Sequence, residues 1–133
     1  MPTRAVLATL AILALTAPQI AVAQQPQTPP AVLDSAVVEA ARRVLRSDLR
    51  NFVVAQEMYF SRNSRYAASM QEISSIYKSS ASATMIILTA SATGHSEVAV
   101  DNRAPGLVCA MFVGNAAKPF GDGREGEPSC HGP

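Results

Sequence analysis

The sequence predicts an α+β fold, with one long N-terminal helix packed on an antiparallel sheet of three to four strands and a C-terminal loop closed by a disulfide. Three observations predict it. Residues 31–60 repeat apolar positions at helical spacing with no Gly or Pro among them. Residues 84–113 switch to strand-like patterning. The two cysteines, Cys109 and Cys130, bracket a tail with no apolar run of its own.

The chain opens with one charge, Arg4, followed by an apolar run from Ala5 to Ala17, a break at Pro18 and the small-residue pattern Ala21-Val22-Ala23. These are the three regions of a secretory signal peptide spanning 1–23, with cleavage expected after Ala23. The run is shorter than the roughly 20 residues that span a bilayer, so no stable membrane anchor is expected after cleavage. Residues 24–30, Gln24-Gln25-Pro26-Gln27-Thr28-Pro29-Pro30, form a Pro/Gln-rich linker. A single domain is expected over 31–133.

The helix is expected from about Ala31, with Thr28 or Asp34 as its cap, to Phe60. Val37, Ala40, Ala41, Val44, Leu45, Leu49, Phe52, Val53 and Gln56 recur at steps of three and four and form its buried stripe. Arg42, Arg46 and Arg50 line up on one side, a row that reads as a solvated face or as a docking face for acidic lipid or a partner. Tyr59 and Phe60 end the stripe. After a polar turn, Ser69-Met70-Gln71-Glu72 fits a capping box for a second, short helix bearing Met70, Ile73 and Tyr77.

Thr84–Thr89 is a β-branched apolar run that reads as a buried strand. His95–Val100 alternates, with Val98 and Val100 on one face. Residues 101–106 form a loop, and Leu107–Val113 is the third strand, with Leu107, Cys109, Met111 and Val113 on one face. Short connections imply an antiparallel meander. Residues 114–133 hold several Gly and Pro residues and cannot build a core. In an exported chain the even cysteine pair reads as a disulfide, and closing a loop of about 20 residues stabilises by roughly 3 kcal/mol in the chain-entropy model.

Chemistry is sparsely marked. The chain has 11 Lys+Arg against 10 Asp+Glu, and loss of Arg4 makes it formally neutral, so no nucleic-acid partner is expected. It carries no nucleophile elbow, P-loop, dinucleotide fingerprint or H-E-x-x-H. Cys130 and His131 are adjacent and project apart, and a disulfide would consume the thiol. No catalytic residue and no cofactor is assigned. The metal candidate is Asp122, Glu125 and Glu127, which alternate with glycines as a flexible Ca²⁺ loop would; Arg124 inside the set favours a solvated loop instead. His95, beside Gly94, reads as an edge residue of its strand.

Asp48-Leu49-Arg50, Ala55-Gln56-Glu57-Met58-Tyr59-Phe60, Asn63 and Tyr66-Ala67, followed in order by the Met85–Leu88 strand, Gly94-His95-Ser96, Cys109 and Cys130, resemble the globular part of type IV pilins and the pseudopilins of type II secretion. The likeness covers roughly Val44 to Cys130, and its motifs are short, so their order carries it. It implies a long helix on an antiparallel sheet with a C-terminal disulfide. The prepilin cleavage site and the continuous apolar N-terminal helix are missing, and Pro26, Pro29 and Pro30 separate the apolar segment from the helix. No pilin functional residue carries over.

The reading that follows is an exported, soluble, pilin-like domain, periplasmic or secreted. It is non-enzymatic and serves as a structural or protein-interaction module whose partner is an envelope protein. Two other readings stand beside it. One is a divergent minor pilin or pseudopilin. The other is a small exported metal-dependent binding protein or enzyme using Asp122, Glu125, Glu127 or His95.

Overall fold

The computed structural model describes residues 33–133. The expected signal peptide and linker lie outside the described residues. Helix α1 runs Ser35–Asn63 and α2 runs Met70–Ile73. Strands β1 (Ala83–Ala90), β2 (Gly94–Asp101), β3 (Val108–Gly114) and β4 (Ser129–His131) form one antiparallel sheet in the order β1-β2-β3-β4. The predicted α+β architecture is therefore present, with the sheet at the upper end of the expected strand count.

Asp34 is the N-cap of α1, its carboxylate accepting from the Ala36 N–H at 2.8 Å. The helix passes Phe60 by one turn and stops at Ser64, whose backbone is left-handed (φ 55°) and whose N–H donates to the Phe60 carbonyl. Its buried face is Val38, Ala41, Leu45, Asp48, Leu49, Phe52, Ala55 and Gln56. The stripe is thus rotated slightly from the expected one. Val37 is exposed and Val38 takes its place, and a carboxylate, Asp48, joins the buried row.

Asp48 is tolerated because its oxygens accept from the backbone N–H and the hydroxyl of Ser80, at 2.9 and 2.8 Å. Gln56 is fully buried for a similar reason. Its amide accepts from the Ala67 N–H at 2.8 Å and donates to the Ala67 carbonyl at 3.0 Å, sewing the segment after the helix back onto it. The α2 cap departs from a simple capping box by one position. Ser69 Oγ accepts from the Glu72 N–H, but the Glu72 carboxylate accepts from the Ala68 N–H and pairs with Arg65.

Helix α1 covers one face of the sheet. On that face Cys109, Ala99 and Met85 stand opposite one another across β3, β2 and β1, and all three are buried in the core with Leu45, Leu49, Phe52 and Met111. On β3 the face shared by Cys109 and Met111 is the one turned to α1. On β2 the face shared by Val98 and Val100 is the outer one: His95, Glu97 and Ala99 are fully buried, while Val98 and Val100 are only half-buried. Because side chains alternate, the register that places Ala99 between Met85 and Cys109 also turns His95 and Glu97 inward.

The first strand is also corrected. β1 is an edge strand and not a buried one; Met85 is its only buried residue, and Ile86 and Leu88 are 45% and 50% exposed. A register shift between Ile87 and Thr89 leaves Leu88 as an extra, bulged residue. At the opposite edge, Cys109 and Cys130 are direct partners across β3 and β4 and form the disulfide. The tail between them folds over the outer face at Phe112, where the Gly126 N–H donates to the Phe112 carbonyl.

Candidate functional site

Among the described residues, the chemistry concentrates on β2. His95 and Glu97 are two residues apart on one strand, so they share a face. Their side chains meet at 2.7 Å between His95 Nδ1 and Glu97 Oε2, and neither has any solvent exposure. Apolar neighbours flank them in the sheet. Val113 and Ala90 stand opposite His95, and Met111 and Ile87 stand opposite Glu97. Above the sheet, the His95 ring meets Tyr66 at a centroid distance of 4.5 Å and Phe52 at 6.5 Å. Tyr66 is the half-buried member, and its hydroxyl donates to Glu57.

His95 Nε2 and Glu97 Oε1 are buried with no hydrogen-bond partner among the described residues. Burial pushes the Glu97 carboxyl pKa up, against the opposing pull of the His95 hydrogen bond. The cause is desolvation, because a carboxylate taken out of water at this depth is costly. Both side chains are sealed from solvent in this conformation.

His95 is therefore a core residue of a central strand, not the edge residue its position beside Gly94 suggests. Backbone crowding fixes where it sits. Gly94 and Gly114 face each other at the β2–β3 end, where a Cβ on Gly94 would lie 2.4 Å from the Val113 carbonyl oxygen. The signal that marks the pair in the sequence is His and Glu two apart in a strand.

The remaining candidates are placed separately. Asp122 pairs with His131 Nε2 at 3.0 Å, and Glu125 accepts from the Gly114 N–H at 2.7 Å. Glu127 is exposed, and among the described residues no group of three His, Cys, Asp or Glu side chains is placed to hold a metal. His131 stacks on Phe120, while its neighbour Cys130 is in the disulfide. In the arginine row, Arg42 pairs with Glu39 and donates to the Pro133 carbonyl; Arg46 and Arg50 are exposed.

Asp101, expected in a loop, ends β2. It is buried against Arg103 and Ser82, and the Arg103 hydrogen bonds hold its pKa down at about 2. The outer edge of β1 has no role that its sequence pattern announces. Among the described residues that edge has no strand partner, and its side chains are uncharged from Ala83 to Ala90. The sequence matches no protein-family model and no curated protein.

Proposed function

We propose that this chain is an exported, non-enzymatic interaction module on a pilin-like scaffold, and that it docks a protein partner in the cell envelope, in the periplasm or outside the cell. The observation that carries the reading is that β1, eight residues long, has a strand neighbour on one side alone among the described residues and leaves Ile86 and Leu88 about half exposed. Strand edges offer unpaired N–H and C=O groups to any extended segment, and soluble proteins ordinarily blunt them with charges or proline. Here the chain carries no Asp, Glu, Lys, Arg or Pro between Lys78 and Glu97.

Other features agree with this reading. The His95–Glu97 pair is closed to solutes, and both cysteines are in a disulfide, the state expected of an exported chain. No described helix is long and apolar enough to cross a membrane. The order of helix, antiparallel sheet and disulfide-closed tail is the one the pilin resemblance implies.

Photo-cross-linking in the producing cell tests the reading. A photoreactive phenylalanine derivative replaces Ile86 in one variant and Glu127, on the distant tail, in another. A defined protein adduct from position 86 and none from position 127 is expected. Equal labelling from both, or none from either, overturns it.

A further inference from the structure

We infer that the solvent face of α1 docks on a surface of anionic phospholipid, through Arg43, Arg46 and Arg50 beside Val54 and Met58. The inference goes beyond the β1 reading, because these side chains lie on the exposed face of the helix, away from its sheet-covering stripe. Positions 43, 46 and 50 are spaced i, i+3 and i+7, so the three guanidinium groups share one side over about 10 Å of helix. All three are exposed, and none forms an ion pair among the described residues. The carboxylates of α1 are engaged elsewhere. Glu39 pairs with Arg42, Glu57 accepts from the Tyr66 hydroxyl, and Asp48 is buried on Ser80.

The row carries a standing cost. Arg42, Arg46 and Arg50 follow one another at i, i+4 and i+8, where like charges destabilise a helix. None of them lies in the last turn, where the helix dipole would favour a cation. A bound anion relieves that repulsion, and the planar guanidinium matches the oxygens of a phosphate in pairs. The whole chain has 11 Lys+Arg against 10 Asp+Glu, so the excess is local to this face.

The neighbouring apolar residues and the area select a lipid surface over an acidic protein. Val54 (60% exposed) and Met58 (44%) continue the face beyond Arg50. Interfacial helices combine these features: cations meet the phosphates while apolar side chains enter the headgroup boundary. The strip from Arg43 to Met58 is about 22 Å long and one helix wide, far below the roughly 800 Å² per partner of a stable protein pair. A membrane needs no such area, since its headgroups add a separate contribution for each arginine. Docking is peripheral, because the opposite face of α1 is held in the core and no described helix is long and apolar enough to cross a bilayer.

Flotation with vesicles tests the inference on the chain recovered after export. Vesicles of phosphatidylglycerol and phosphatidylcholine (about 1:3) at about 50 mM salt should carry the protein, pure phosphatidylcholine should not, and about 0.5 M salt should release it. Arg43→Gln, Arg46→Gln and Arg50→Gln should each weaken binding about fivefold, and the triple variant about a hundredfold. Arg124→Gln removes an exposed charge from the tail and should leave binding unchanged. Val54→Gln should weaken binding and keep its salt dependence. Arg46→Gln should melt no lower than the native chain, which separates lost docking from lost folding. No flotation with the anionic vesicles, equal flotation with neutral ones, equal losses from Arg46→Gln and Arg124→Gln, or no loss from Val54→Gln overturns the inference. Vesicle binding and the adduct at position 86 are separate signals, so the failure of one leaves the other reading standing.

Discussion

At the residue scale, the buried carboxylates set the pH response of the fold, and they pull in opposite directions. Asp101 has its pKa lowered to about 2 by Arg103. Below its ordinary value the unfolded chain takes up a proton that the folded chain refuses. Its stabilisation is therefore complete above about pH 4 and is lost as pH falls towards about 2. Glu97 behaves in reverse. Its carboxyl is raised by burial, so the folded chain keeps a proton that the unfolded chain releases above about pH 4.5. That contribution is complete below the ordinary carboxylate range and drains away as pH rises through the raised value. Urea unfolding of Glu97→Gln between about pH 4 and about pH 9 should lose the decline with rising pH, while Asp101→Asn should lose only part of the acid limb (about pH 4 to about 2). A Glu97→Gln variant with the wild-type slope would show that Glu97 does not titrate with folding.

At the element scale, α1 is tied to the sheet by more than its apolar stripe. The Gln56 side chain bonds both the N–H and the C=O of Ala67, and all of these groups are buried. Replacing it by Leu keeps the volume and orphans one N–H and one C=O, which should cost about 2–4 kcal/mol in chemical denaturation. A loss well under about 1 kcal/mol would mean that water reaches Ala67.

These elements also show what the sequence makes legible. The helix, the three main strands and the cysteine pair follow from periodicity and composition. The face of β2 does not, because Val98 and Val100 look like core residues, and only the pairing with β1 and β3 decides that His95 and Glu97 turn inward. The exposure of β1 is equally invisible, since a β-branched apolar run has the same appearance at the centre of a sheet or at its edge. Gln56 falls on the predicted stripe, but its partner is eleven residues away in a segment with no regular pattern.

At the scale of the whole molecule, stability rests on how the sheet is covered and closed. The core lies between α1 and one sheet face, and the tail covers part of the other. The short strand β4 has little burial of its own: Ser129 and Cys130 are half-buried and His131 is exposed. Its hold on β3 depends on the bond between Cys109 and Cys130, which should contribute roughly 3 kcal/mol. A Cys109→Ser, Cys130→Ser variant should therefore melt lower than the native chain, with the loss of protection concentrated in residues 115–133 on hydrogen exchange.

The same bond also sets how the sheet ends. By joining Cys130 to its direct cross-strand partner Cys109, it keeps the last residues of the chain paired along Val108–Ala110 and so covers backbone groups of β3 that would otherwise be left as a longer bare edge. Kept reduced during folding, the chain should aggregate more readily by light scattering, and oxidant added beforehand should suppress it; equal scattering under both conditions would show that β4 holds its place without the bond.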